Sequence, residues 1–253
     1  MLKDFGKEKF DIIIQGGQSN SDGTGHGKVA NPYCVNDNVW FLNQDFTISM
    51  AHERVAGNHM RSDFSLEFAR LYLGDGLLKN GRKLLIVRSA VGGTGFSDKR
   101  WGPKDDLFLQ MMEMIKTAIS LNNENRLVGF IWHQGETDAS FQASYETHYN
   151  NLSKLVEIVR NSFNCPDLPF IAGDFVQLWN KTNPTIVVPI IDAMRAVCKD
   201  IGSAAFVETT GLNSNFEEYG LEEAGDKDDV HFSRAALYLL GARYYEAYKK
   251  IIS

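Results

Sequence analysis

The chain of 253 residues is 43% hydrophobic and 23% charged, an ordinary globular composition with enough apolar residues for a sizeable core. Its net charge of -6 supplies no basic field for a nucleic acid or an anionic membrane, and no stretch approaches the roughly 20 apolar residues that span a bilayer. Cys34, Cys165 and Cys198 lack disulfide-framework or zinc-ligand spacing, and the amino terminus lacks a secretory signal's long apolar core, so reduced, mostly structural thiols in a cytoplasmic protein are expected.

The first strand starts at Asp11. Its run Ile12-Ile13-Ile14 is β-branched and unbroken, which suits a strand buried on both faces, and it stops at Gly16-Gly17 to deliver Gln18, Ser19 and Asn20 to the rim of a sheet. Residues 31–53 hold two short β-rich runs separated by Asn43-Gln44-Asp45, which predicts a hairpin decorating that rim. From Ser62 the spacing of Leu66, Ala69 and Leu73 predicts a helix with Ser62 or Asp63 as N-cap, ending near the glycines at 74–81. Lys83 to Ser89 is a second buried strand that also runs into glycines, at Gly92-Gly93-Thr94. Helical spacing of Leu107, Met111, Met114, Ile115 and Ala118 marks the next helix by its core face.

A third strand, Arg126 to Trp132, leads at once into His133-Gln134-Gly135-Glu136-Thr137-Asp138. A helix over Phe141 to Ser162, a strand over Pro169 to Asp174, a helix over Val187 to Asp200 and a strand over Ala204 to Glu208 follow. The acidic stretch from Gly211 to Asp229 reads as a solvated loop, and the final helix runs from Ser233 to Ile251. Five strands alternating with helices predict an α/β fold with a five-stranded parallel sheet covered on both faces, in a single domain over residues 1–253.

Four polar segments fall at the carboxyl edge of that sheet, where open α/β folds bind ligands: Gln18-Ser19-Asn20, Gly92-Gly93-Thr94, Gln134-Gly135-Glu136, and Asp226 to His231. A hydrolase working by nucleophilic attack needs a hydroxyl, an imidazole to take its proton, a carboxylate to orient the imidazole, and donors facing the oxyanion. Ser19, His231, Asp228 or Asp229, and the glycine amides with Gln134 supply those groups. Taken singly, Ser19 is an ordinary turn serine, His231 a capping residue, and Gln134 and Glu136 satisfy loop amides; the four together at one rim carry the reading.

Other chemistries fit less well. In Gly23 to Lys28 the phosphate-loop pattern fails, because Asp22 stands where its first glycine belongs and Val29 where Ser or Thr would bind magnesium. The glycine spacing is not that of a dinucleotide fold, and Ser19 is not in a GxSxG elbow. Asp226, Asp228, Asp229 and His231 lack a second ligand cluster, so no metal or cofactor is expected. His26, His52, His59 and His148 lack paired spacing and read as surface or loop residues.

The segments Gly17-Gln18-Ser19-Asn20, Gly92-Gly93-Thr94, Trp132 to Asp138 and Asp228 to Ser233 resemble the ordered blocks of the SGNH (GDSL-type) hydrolases. More narrowly they resemble the carbohydrate-esterase branch that contains family six acetyl xylan esterases and sialate O-acetylesterase-like domains. The resemblance implies a flavodoxin-like three-layer α/β/α sandwich and metal-independent hydrolysis of acetyl esters on sugars or oligosaccharides. Carried over by position, it makes Ser19 the nucleophile, His231 the general base and Asp228, rather than Asp229, its orienting carboxylate. Gly92 and Ser19 would supply oxyanion amides with the Gln134 side chain, Gly93 being a near neighbour, and Trp132 and Glu136 would position the loop. Gly-Gln-Ser-Asn replaces the superfamily's Gly-Asp-Ser, and Gln134 replaces its usual asparagine, as in the carbohydrate-esterase branch. A GDSL-like lipase or thioesterase, and a carbohydrate-binding module without chemistry, are the alternative readings; a homo-oligomer is left open.

Overall fold

The computed structural model describes residues 4–56, 59–79, 81–224 and 227–253, the side chains of 220–224 excepted. β1 (Phe10–Gly17) runs into α1 (Ser19–Asp22) and then β2 (Gly25–His26). β3 (Val39–Leu42), β4 (Ile48–Met50), β5 (Arg54–Ala56) and β6 (His59–Ser62) precede α2 (Phe64–Gly74), whose N-cap Asp63 accepts a hydrogen bond from the Ser65 N–H at 2.8 Å. The chain continues through β7 (Lys83–Ala90), α3 (Asp106–Ser120), β8 (Arg126–His133), α4 (Glu136–Ser140) and α5 (Tyr145–Ser162). β9 (Phe170–Gly173), α6 (Gln177–Thr182), α7 (Pro184–Asp200), β10 (Ala204–Val207), α8 (Asn215–Ala224) and α9 (Arg234–Ile252) complete it.

The main sheet has the order β10-β9-β8-β1-β7-β3-β4, parallel throughout except for the antiparallel edge strand β4. Without β3 and β4, the remaining order is that of a flavodoxin-like sheet, whose switch point lies between the first strand and its third, here β1 and β8. Alternation along β1 divides the core: Ile12 and Ile14 pack beneath α3, α5 and α7 with Met111, Ile115, Leu155 and Met194, and Ile13 packs beneath α2 and α9 with Phe64, Phe68, Leu240 and Tyr244. All three isoleucines are fully buried, each contributing about 1.5–3 kcal/mol by removal from water. The result is the expected three-layer sandwich.

Several expectations need correction. The sheet has seven strands, not five, because the hairpin is no decoration: β3 pairs in parallel with β7, and Val39, Trp40, Phe41 and Leu42 are all buried. The acidic stretch read as a loop contains α8, where Glu217 and Glu218 occupy the first turn, the end at which the helix dipole favours negative charge. The helix expected from Phe141 begins instead at Tyr145, with Ser144 as N-cap, and that expected from Val187 begins at Pro184. Both α4 and α6 were missed. Among the histidines expected at the surface or in loops, His148 is fully buried and His26 is buried in β2, and among the cysteines Cys34 is exposed while Cys198 is buried, where desolvation pushes its thiol up to about 12.

Candidate active site

The turn after β1 depends on Gly17, whose φ of 129° is open to glycine; a Cβ there would meet the His133 carbonyl oxygen at 2.1 Å. The close approach lets the Gln18 N–H donate to that carbonyl at 3.0 Å and sets Ser19 at the head of α1. His231 precedes α9, whose first turn is capped by Ser233, and its segment is held against residues 213–215 by the Asn215 N–H to His231 carbonyl bond of 2.9 Å and the Ser233 N–H to Asn213 carbonyl bond of 3.0 Å.

These two ends of the chain meet. The Ser19 Oγ lies 2.9 Å from His231 Nε2, and His231 Nδ1 lies 2.7 Å from Asp228 Oδ1. With Nδ1 donating to the carboxylate, Nε2 is left as the acceptor for the serine hydroxyl. The other carboxylate oxygen, Oδ2, accepts from the Asn215 amide at 2.8 Å. Burial opposes ionisation of Asp228, but the His231 hydrogen bond and charge, with the Asn215 amide, outweigh it and hold the carboxyl below its usual range. Asp229 instead faces Lys227 at 3.5 Å, and of the two adjacent aspartates Asp228 is the one in contact with the imidazole.

A buried polar layer supports this chain from below. Asn20, fully buried, donates to Glu136 Oε1 at 2.8 Å and to the Val230 carbonyl at 3.0 Å, and accepts from the Phe232 N–H at 3.0 Å, so it clips the His231 segment to α1 and α4. Desolvation raises the Glu136 carboxyl above its ordinary value, opposed by the Asn20 hydrogen bond. Beside it, buried His133 is pushed down to about 3 by desolvation and stays neutral, its Nδ1 3.0 Å from the Tyr244 hydroxyl. Trp132 is fully buried edge-on to Trp101 at 5.0 Å between ring centres.

The second glycine cluster approaches Ser19 directly. A Cβ added to Gly92 would lie 3.5 Å from the Ser19 Cβ, and the backbone N–H groups of Ser19 and Gly92 have no acceptor among the described residues. The loop beyond them is fastened by Asp138, which accepts from the Phe96 and Ser97 N–H groups at 3.2 and 2.7 Å, from the Ser97 hydroxyl, and from Gln134 Nε2 at 2.6 Å. Gln134 is thus fully buried with one amide N–H committed to Asp138, and it does not reach the cleft surface.

That cleft, about 580 Å³, is walled by Ser19, Gly92, Gly93, Thr137, Trp179 and His231. A neighbouring cavity of about 400 Å³ shares Thr24 and His231 with it and adds His26 and Arg61. Residues 23–27 stay at the site: β2 pairs with β6, and Thr24 and His26 form a wall beside it. Asn20 and Asp138 stand within the quoted motifs but their supporting roles carry no local signal, Asn20 reaching Phe232 across 212 residues, and Asn215 lies outside every motif. Among the described residues no group of three or more His, Cys, Asp or Glu could hold a metal ion, and Asp226 lies outside those residues.

The profile of the carbohydrate esterase, sialic acid-specific acetylesterase family matches residues 9–250. The chain belongs to this family. A probable 9-O-acetyl-N-acetylneuraminic acid deacetylase of Escherichia coli is 27% identical over 160 residues, 53% of this chain and 48% of that protein. A probable carbohydrate esterase of Arabidopsis thaliana is 27% identical over 178 residues, 63% of this chain and 66% of that protein. Thus the matched part spans about half of the first curated relative and two thirds of the second. The crystal structure of NanS superposes with a TM-score of 0.81 at 18% identity, covering 97% of this chain and 98% of that one, so the two share the sandwich fold.

Proposed function

We propose that residues 1–253 form one serine-dependent carbohydrate O-acetylesterase domain that removes acetyl groups from acetylated sugars or oligosaccharides. The hydrogen-bonded chain Ser19–His231–Asp228, with the free N–H groups of Ser19 and Gly92 beside it, carries this reading. Family membership and the names of the two relatives support the substrate class.

The Ser19 Oγ attacks the acetyl carbonyl as His231 Nε2 takes its proton, and the carbonyl becomes a tetrahedral oxyanion facing the N–H groups of Ser19 and Gly92. Gln134, buried with its amide on Asp138, braces the loop behind the cleft in place of donating to the oxyanion. Collapse breaks the ester bond to the sugar oxygen, which leaves with the proton from His231, and acetyl-Ser19 remains. Water then attacks the acetyl-enzyme, His231 again taking the proton; acetate departs and Ser19 recovers its own. Asp228 holds the imidazole in the required tautomer and stabilises its charged form in both halves.

Acetate release from a panel of acetylated sugars tests the reading. Ser19→Ala and His231→Ala are expected to abolish turnover nearly completely, and Gln134→Ala, which removes only a brace on Asp138, to lower kcat by less than the roughly 10²-fold loss of an oxyanion donor. Normal turnover by purified, folded Ser19→Ala would end it. The three unpaired thiols support the cytoplasmic location as part of the same proposal, and cell fractionation tests it.

A further inference from the structure

At the end of the sheet farthest from β4, one edge is left open. β10 pairs only with β9, and its apolar residues Ala204, Ala205 and Phe206 are half-buried, whereas all four residues of β9 are buried. The Phe170 and Asp174 N–H groups donate to the Ser203 and Val207 carbonyls, which turns the backbone groups of Ala204 and Phe206 away from β9 and outward. Sheets keep an edge from pairing with charged residues or proline, and Ala204-Ala205-Phe206-Val207 contains neither. Leu239, on α9 beside this edge, is 54% exposed.

Between β10 and α9 lies a groove of about 690 Å³ whose helical wall includes Leu239, Ala242, Arg243, Glu246, Ala247 and Lys250. That wall is self-complementary. Turned end for end about a point between Tyr244 and Tyr245, it sets Arg243 against Glu246, Ala242 against Ala247, and Leu239 against the aliphatic stem of Lys250. An antiparallel copy therefore meets opposite charges, and the alanines at the middle let the two helices approach closely. The charges are not consumed within the chain: Arg243 donates to the neutral carbonyls of Glu208 and Thr210 at 2.7 and 2.9 Å, the Glu208 carboxylate is taken by Arg195 at 2.8 Å, and Glu246 meets Lys249 at 3.9 Å.

We propose that two copies of this chain associate through this groove about a two-fold axis, α9 of one lying antiparallel to α9 of the other, with Arg243 of each copy against Glu246 of its partner. A two-fold contact uses the same surface on both subunits, so a stripe that matches its own reverse is what such an interface requires. The contact covers Leu239 and the half-buried face of β10 in both copies. The groove shares no lining residue with the cleft at Ser19, so both clefts stay open.

Sedimentation equilibrium of the full chain over a concentration series tests the contact, with circular dichroism and the thermal midpoint as checks on folding. The wild-type mass is expected to rise from that of one chain to that of two. Glu246→Arg sets like charges against each other twice across the axis and is expected to raise the dimer Kd about 10- to 100-fold, and Arg243→Glu combined with Glu246→Arg recovers association. Because Arg243 also holds two carbonyls of its own chain, Leu239→Lys gives a second perturbation at an exposed position, adding a charge beside Lys250 of the partner and raising the Kd in the same direction. A wild type that keeps the mass of one chain at every concentration, its groove then open to a different protein or an apolar ligand, overturns the proposal. So does a dimer whose Kd neither Glu246→Arg nor Leu239→Lys changes.

Discussion

Replacing Asn20 by alanine removes a buried side chain that bonds the segments on both sides of the Ser19–His231 contact. Three hydrogen bonds go at once: to Glu136 Oε1 at 2.8 Å, to the Val230 carbonyl at 3.0 Å and from the Phe232 N–H at 3.0 Å. Asn20 is fully buried, so water does not readily replace them, and at about 1–1.5 kcal/mol each the expected loss is about 3–4 kcal/mol. Urea unfolding followed by tryptophan fluorescence measures it, with a lower midpoint and an unchanged slope. Because Val230 and Phe232 flank His231, the imidazole also loses its anchor, and kcat for an acetyl ester is expected to fall on the order of 10²-fold while Asp228 is intact. A loss of stability under about 1 kcal/mol together with unchanged kcat would refute the idea that Asn20 clips the base to the nucleophile.

Glu136→Gln keeps the acceptor for Asn20 but removes the titration. Because the folded pKa of Glu136 is raised, its contribution to stability is complete below the unfolded value of about 4.3 and fades as pH rises through the folded value; the wild type should therefore lose stability relative to the variant as pH rises above the unfolded value in paired denaturation curves. Asp11 has the opposite sign. Its burial is outweighed by the Arg126, Arg82 and Tyr72 hydrogen bonds, so its depressed pKa gives stability that is present above about pH 3.9 and lost as pH falls through the folded value. Asp11→Asn should cost about 3 kcal/mol at pH 7, read by urea unfolding, and should flatten the acid limb. For Gly17→Ala, the 2.1 Å approach to the His133 carbonyl predicts a shifted turn, a lower thermal midpoint and reduced esterase activity; a wild-type midpoint would contradict the geometry.

How much was legible follows from the range over which each feature is encoded. Buried β-branched runs ending in glycine identified β1, β7 and β8, and with them the rim that carries Ser19, Gly92 and Gln134, because a strand buried on both faces leaves a continuous apolar signature. The same signature was present in Val39-Trp40-Phe41-Leu42, but its brevity and the turn after it made an edge hairpin equally consistent; partnership with β7 is a non-local choice. α8 was hidden because acidic residues in a first turn and acidic residues in a solvated loop have the same composition.

Residue types and spacing by themselves determined the parallel α/β class and named the serine, the histidine and the two competing aspartates. Contact decided what spacing left open from the residues alone: Asp228 rather than Asp229 meets the imidazole, and Gln134 spends one amide N–H on Asp138. Nearness in the chain does not decide them: Asp229 is nearer to His231 in sequence than Asp228, and only the folded backbone turns Asp228 toward the ring. Local sequence records which groups are available, and only packing assigns their hydrogen bonds.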